Sequence, residues 1–121
     1  MIAFTFIDSK SLGGNRHPAP LTGGVGVDIP VVSGQVTNLN LAMVRKSVGA
    51  LVKFESGPFR QRHDGGLPIS SASISTASGY LRSDGDEYFY IKEEATVFSV
   101  VLDTLGPLVA TEGMLRVTYY G

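Results

Sequence analysis

Residues 114–120 read MLRVTYY, and residues 88–91 (YFYI) and 96–102 (TVFSVVL) have the same character. All three segments are rich in β-branched and aromatic side chains, which fit a pleated, half-buried surface. Each is therefore predicted to be a strand. Together they indicate a compact domain built from paired strands.

Strand and turn signals recur along the rest of the chain. Residues 2–8 predict a first strand, and residues 25–32 predict an edge strand or two short strands around Pro30. Asp84-Gly85 predicts the turn of a hairpin. About eight short strands, with turn signals roughly every 8–12 residues, predict an all-β, single-domain antiparallel β-sandwich that is jelly-roll-like. No segment supplies the crossover helices that a parallel α/β fold needs.

One domain is expected over residues 1–121, because the chain has the length of a usual domain. Residues 9–24 differ from the rest in their glycines and prolines, and Pro18 and Pro20 cannot donate to a β-ladder. We interpret this segment as a long N-terminal Pro/Gly arm or loop that lies extended over the surface. Loops of this length in compact domains are usually functional or disordered.

Residues 41–54 fit two periods. A helical period gathers apolar residues from Leu41 to Leu51 on one side, whereas a strand period gathers most of the even-numbered residues. Gly49 and the β-branched valines weigh against a helix. We predict strand structure for this segment, with a turn at residues 45–47.

Charge and cysteine content restrict the partners. The formal net charge is −1, with 10 basic and 11 acidic residues, and there is no cysteine. Nucleic acid binding needs a concentrated positive surface, so nucleic acid is not expected as a partner. No stretch approaches the roughly 18 apolar residues that span a bilayer, so a membrane is not expected either. The charged share of 17% is low, which suits a protein that rests against other protein, although an ordinary β domain with long loops explains it equally well.

Two segments have some features of ligand-binding loops. Residues 23–28 carry glycines without the spacing of a dinucleotide loop, and residues 83–87 carry three carboxylates without EF-hand spacing. A flexible loop entry and a solvated turn are the better interpretations. His17 and His63 are the only histidines, and neither an HExxH motif nor a nucleophile elbow occurs. We therefore expect no catalytic residue, no metal and no cofactor, and predict that the chain is not an enzyme.

The most distinctive polar cluster is residues 59–63 (FRQRH), which lie between Gly57-Pro58 and Asp64-Gly65-Gly66. The framing turn signals predict a loop. Arginine beside an aromatic ring is typical of protein interfaces, while a solvated turn and a site for an anionic ligand remain alternatives. Together with the arm, this cluster supplies the predicted protein-contact residues: Arg16, His17, Pro18, Pro20, Leu21, Phe59, Arg60, Arg62 and His63.

In its general features the chain resembles the small all-β decoration, or cement, proteins that coat the capsids of tailed bacteriophages. These features are a strand starting at Ile2, the Pro/Gly arm at residues 9–24, the missing cysteines and a strand closing at Tyr120. The resemblance implies a jelly-roll-like sandwich on the outer capsid surface. Such proteins bridge neighbouring major capsid subunits, often as symmetric oligomers. No residue role is carried over, because the resemblance includes no diagnostic motif.

Two functions from different classes are expected. The leading hypothesis is a non-enzymatic viral structural protein, a decoration protein that stabilises the shell by bridging capsid subunits. It would be made in the host cytoplasm, reside on the virion and form a homo-oligomer bound to the major capsid protein or another virion protein. The alternative is a carbohydrate-binding β-sandwich module of a tail fibre or adhesin. A cupin-like enzyme is a third option, which lacks the histidine-rich metal ligands that it would need.

Overall fold

A computed structural model describes residues 18–70, 78–103 and 112–121. Within these residues, eight strands form two four-stranded antiparallel sheets, accompanied by two short helices, which confirms the predicted all-β sandwich. In chain order the elements are β1 (Val27–Val32), β2 (Thr37–Asn38), α1 (Leu41–Lys46), β3 (Gly49–Glu55), β4 (Phe59–Arg62), β5 (Tyr80–Arg82), β6 (Glu87–Ile91), α2 (Lys92–Thr96), β7 (Ser99–Leu102) and β8 (Glu112–Tyr120).

The strand order identifies a jelly roll. The first sheet has the order β1-β8-β3-β6 and the second the order β2-β7-β4-β5. The antiparallel pairs β1–β8, β2–β7, β3–β6 and β4–β5 alternate between the two sheets. The chain is therefore a long antiparallel ribbon wound into two facing sheets, which is the jelly-roll arrangement.

The core lies between the inner faces of the sheets. Alternate residues of each long strand point into it, and in β8 these are the fully buried Leu115, Val117 and Tyr119. Burying one large apolar side chain contributes about 1.5–3 kcal/mol. The largest of the fully buried side chains come from both sheets and their connections: Phe54, Phe59, Phe98, Leu102, Leu115 and Tyr119.

The strand predicted for the first part of residues 41–54 is wrong, because Leu41–Lys46 form α1. Asn40 begins this helix: its Oδ1 accepts hydrogen bonds from two backbone N–H groups of the first turn, at 3.0 and 3.3 Å. The second part is confirmed, since β3 spans Gly49–Glu55. Gly49 is required there because an added Cβ would lie 2.6 Å from the backbone carbonyl oxygen of Tyr90.

The strand predicted at residues 96–102 begins only at Ser99, because Lys92–Thr96 form α2. Glu94 supports the start of α2 by accepting a hydrogen bond on Oε1 from the backbone N–H of Ile91 at 3.2 Å. Neither this helix nor any other among the described residues is long and apolar enough to cross a membrane.

The turn predicted at Asp84-Gly85 is confirmed, but the predicted hairpin is wrong, because β5 and β6 belong to different sheets. Gly85 has a φ of +90°, a conformation that favours glycine. The backbone N–H of Ser83 donates to Asp86 Oδ2 at 2.7 Å, and that of Ser56 donates to Asp84 Oδ1 at 2.8 Å. These carboxylates stabilise a corner that carries the chain from one sheet to the other.

Residues 1–17 lie outside the described part of the chain. The predicted first strand at residues 2–8, the beginning of the arm, and the predicted contact residues Arg16 and His17 fall in that segment.

The described end of the arm lies against the first sheet. The backbone N–H of Leu21 donates to the carbonyl oxygen of Tyr119 at 2.8 Å, and Pro20 forms an isolated β-bridge with Tyr120. Pro30 lies in β1 at the edge of the same sheet, which confirms the predicted edge strand.

Candidate functional site

The loop predicted for residues 59–63 is wrong for all but His63, because Phe59–Arg62 form β4. This strand lies between β5 and β7 in the second sheet. Phe59 and Gln61 are fully buried, whereas Arg60 and Arg62 are partly exposed on the opposite face. The prediction that Phe59 contacts a partner is therefore wrong, since its ring belongs to the core.

Gln61 is the polar centre of the site. Its Oε1 accepts hydrogen bonds from the Tyr90 hydroxyl at 2.9 Å and from Arg82 Nε at 3.3 Å. Because arginine only donates, the amide is oriented with Nε2 toward His63 Nδ1, 3.1 Å away. Nδ1 must then accept, so a neutral His63 carries its proton on Nε2, which faces Glu94 Oε2 at 3.8 Å. Burial raises the pKa of Tyr90, so this phenol remains a donor.

A row of stacked side chains spans the gap between β5 and β6. The rings of His63 and Tyr80 are nearly parallel, with centroids 5.4 Å apart and planes inclined by 13°. The guanidinium carbon of Arg82 lies 4.9 Å from the Tyr80 ring centroid and 4.0 Å from that of Tyr88. Each such cation–ring contact contributes about 0.5–1 kcal/mol at an exposed site. Side chains thus join two strands that belong to separate sheets.

We call Tyr80, Arg82 and Tyr88 the edge patch. Tyr80 is 57% exposed and Tyr88 is 39% exposed, although both are large aromatic side chains. The stacking and the Gln61 hydrogen bonds already hold most of the patch, so binding would immobilise few additional rotamers. The edge patch is therefore a pre-organised surface made of the residue types that protein interfaces favour.

Arg60 forms a mostly buried ion pair with Asp103. Its Nε donates to Asp103 Oδ2 at 3.1 Å and its Nη1 donates to the carbonyl oxygen of Gly79 at 3.3 Å. Asp103 is only 5% exposed and also accepts from Ser70 Oγ at 3.2 Å. The pair thus connects β4 to Asp103 at the end of β7. It also binds Ser70 and Gly79, two residues of the connection between β4 and β5.

A cleft of about 430 Å³ opens next to the edge patch, and its lining residues are Arg62, His63, Asp64, Ser78, Gly79 and Tyr80. Arg62 donates from Nε and Nη2 to the two carboxylate oxygens of Asp64 at 2.9 and 2.6 Å, and from Nη1 to Ser78 Oγ at 2.8 Å. Hydrogen bonds from Arg62 and from the backbone N–H of Gly66 lower the pKa of Asp64 to about 2. Asp64 is therefore an anion at neutral pH.

Two predicted contact residues, Arg62 and His63, share this cleft. The other described ones from the arm, namely Pro18, Pro20 and Leu21, lie beside the end of β8 in the first sheet, and Leu21 packs partly against the core. The sequence-based set thus divides between two regions of the surface.

The sequence prediction missed Tyr80, Arg82 and Tyr88 as site residues. The sequence contains a pattern that could have identified them, because side chains two residues apart in a strand share a face. Tyr80 and Arg82 have this spacing in one predicted strand, as have Tyr88 and Tyr90 in the next. Nothing local in the sequence shows that these two strands meet along one edge.

In the three described ranges, no three His, Asp or Glu side chains cluster so as to hold a metal ion. Comparisons of the chain with models of protein families, with curated proteins and with solved structures give no match.

Proposed function

We propose that this protein is a non-enzymatic structural protein that binds other protein subunits through the edge patch. Its specific role would be that of a capsid decoration protein, which stabilises a viral shell by bridging capsid subunits. It would then reside on the virion, with the major capsid protein as partner.

The edge patch is the observation that carries this proposal. Exposed tyrosine and arginine side chains are the types most enriched among the residues that dominate binding energy at interfaces. Here Arg82 is fixed between Tyr80 and Tyr88, and its Nε is bound to the buried Gln61. A surface that is already ordered binds with a smaller loss of conformational entropy. The patch also lies at the rim of the sandwich, where it is accessible to a neighbouring subunit.

Two further observations support the capsid role. The jelly-roll topology is used by viral capsid domains, although lectins and cupins share it, so the fold contributes by analogy only. The charged share of 17% is below the usual quarter, as suits a protein packed among others. Many copies on one particle would make a modest individual contact effective through multivalency.

The proposal is tested by reconstitution. The full-length chain is mixed with shells assembled from the shell-forming protein encoded next to its gene, and co-sedimentation and the shell's melting temperature are measured. We expect the chain to sediment with the shells and to raise their melting temperature. Tyr80→Ser and Tyr88→Ser should each weaken binding about 10- to 30-fold, a loss of about 1.4–2 kcal/mol.

The matched control is Val25→Ser, which removes an apolar side chain that is 66% exposed outside the edge patch. It should bind as the unmodified chain does, and thermal unfolding of all three variants checks that they fold. Undiminished binding by both edge variants would refute the proposed surface. Genes for sugar metabolism in place of a shell protein, or no binding to the shells, would refute the capsid role.

A further inference from the structure

The cleft beside β4 has the size and lining of a small-ligand site. Its volume of about 430 Å³ falls within the usual range of such sites. Its polar wall consists of Arg62, Asp64 and Ser78, and Tyr80, which is 57% exposed, supplies apolar surface. We propose that this cleft is a binding site for a neutral saccharide, a function beyond the subunit contact made by the edge patch.

The polar wall offers both donors and acceptors in fixed positions. A guanidinium group has five N–H donors, and Arg62 uses three of them, two on Asp64 and one on Ser78. The remaining N–H groups have no partner among the described residues. Ser78 Oγ accepts from Arg62, so its own proton is left to donate. The Asp64 carboxylate accepts from Arg62 and Gly66, is 60% exposed and retains lone-pair capacity toward the cleft.

A sugar hydroxyl matches this wall because it donates one hydrogen bond and accepts others at the same time. Adjacent hydroxyls of a pyranose could donate to Asp64 and accept from Arg62 together. No ordering of these two side chains is required on binding, since they are already paired at 2.9 and 2.6 Å.

The charge of the wall selects against anions. The positive charge of Arg62 is already balanced by Asp64, whose pKa of about 2 keeps it negative at neutral pH. A phosphate or carboxylate ligand would meet that fixed negative charge at short range, which is unfavourable. A neutral polyhydroxylated ligand meets no such repulsion.

Tyr80 provides the apolar side of the cleft. Its ring is 57% exposed and is fixed by the His63 ring and by Arg82. A saccharide can contact the exposed part of the Tyr80 ring, which lies between His63 and Arg82, while its hydroxyls bind Arg62, Asp64 and Ser78. An open site for one sugar residue implies a dissociation constant on the order of 1 mM, which display of many copies would strengthen.

The experiment is a titration of the full-length, ¹⁵N-labelled protein with the methyl glycosides of glucose, galactose, mannose and N-acetylglucosamine, followed by NMR. We expect at least one glycoside to shift the backbone amide signals of residues 62–66 and 78–80. Asp64→Ala should weaken that binding at least 10-fold. The matched control is Asp28→Ala, which removes an exposed aspartate paired with Arg116 at 3.1 Å on the first sheet and should bind the glycoside unchanged.

The saccharide site is refuted if no glycoside up to about 50 mM, far above the expected dissociation constant, shifts these amides. It is equally refuted if the shifts lie elsewhere or if Asp64→Ala binds as the unmodified protein does. Asp64 is not part of the edge patch, so Asp64→Ala should still bind shells. Failure of this site and failure of the proposed subunit contact are thus separate results.

Discussion

Arg60 and Arg62, two residues apart on the same face of β4, each form an ion pair with an aspartate. The two pairs differ in burial and in the sequence separation of their partners. Arg60 and Asp103 are joined at 3.1 Å, with side chains 21% and 4% exposed. Arg62 and Asp64 are joined at 2.6 Å, with side chains 31% and 60% exposed. The first pair spans 43 positions of sequence and the second spans two.

The difference shows how burial assigns a role to one residue type. A buried carboxylate that loses its arginine loses the charge that balances it, so we expect removal of Arg60 to destabilise the fold. An exposed pair is screened by water and contributes little to folding, so the outer pair is available to a ligand. We expect variants along β4 to follow this division between fold and surface.

The largest effect is expected for Arg60→Ala, which leaves Asp103 buried without its arginine. We predict a loss of roughly 2–3 kcal/mol in the free energy of unfolding, measured by urea denaturation. The double variant Arg60→Met with Asp103→Leu should recover much of this loss, because it removes both charges. A loss below about 0.5 kcal/mol for Arg60→Ala, the level of an exposed pair, would abolish the distinction between the two pairs.

An intermediate effect is expected for Gln61→Leu, a change at the buried position between the two arginines. The Tyr90 hydroxyl and His63 Nδ1 would lose their partner, and we predict a loss of about 2 kcal/mol in the free energy of unfolding. Imidazole ¹⁵N resonances provide a second measurement: in the unmodified protein at high pH, His63 should be the Nε2–H tautomer. Observation of the Nδ1–H tautomer would contradict the hydrogen-bond arrangement around Gln61.

The smallest effect is expected for Asp64→Asn, and it should depend on pH. The pKa of Asp64 in the folded protein is about 2, below its ordinary value of 3.8. Its contribution is therefore fully present above pH 3.8 and is lost as the pH falls toward 2. The unmodified protein should lose stability across this window more steeply than Asp64→Asn, as measured by urea denaturation at several pH values.

Arg62→Ala is the control for that titration. The hydrogen bond from Arg62 is the largest cause of the lowered pKa of Asp64. NMR titration of the Asp64 carboxyl should therefore give a pKa closer to 3.8 in the variant than in the unmodified protein. An unchanged pKa would show that Arg62 does not hold Asp64 in solution.

The strands that could be predicted are rich in β-branched and aromatic residues or alternate between apolar and polar ones. In β8 the buried residues Leu115, Val117 and Tyr119 follow this period, and the segment was predicted correctly. In β4 the buried residues are Phe59 and Gln61. Because Gln61 is polar, the sequence does not show the alternation of apolar and polar residues that is typical of a strand. Turn signals on both sides then favoured a loop. The helix α1 was missed because its six residues are too few for a helical period to outweigh the β-branched ones.

The candidate site could be predicted only in part. Arg62 and His63 were identified as polar residues of interest, and both line the cleft. Their partners come from further along the chain: Ser78 lies 16 positions after Arg62, and Tyr80 lies 17 positions after His63. No pattern in the intervening sequence indicates that the chain returns to β4. No pattern in residues 59–63 indicates that Arg60 would pair with a buried carboxylate and Arg62 with an exposed one.

The sequence by itself determined the all-β class, the edge position of β1 and the strands β3 and β8, because apolar alternation and proline act within a few neighbouring residues. Only the tertiary structure decided that β5 and β6 belong to different sheets and that Gln61 joins Tyr90, Arg82 and His63. The physical reason is that a buried polar group must find its hydrogen-bond partners wherever the fold brings them, at separations in sequence that no local pattern records.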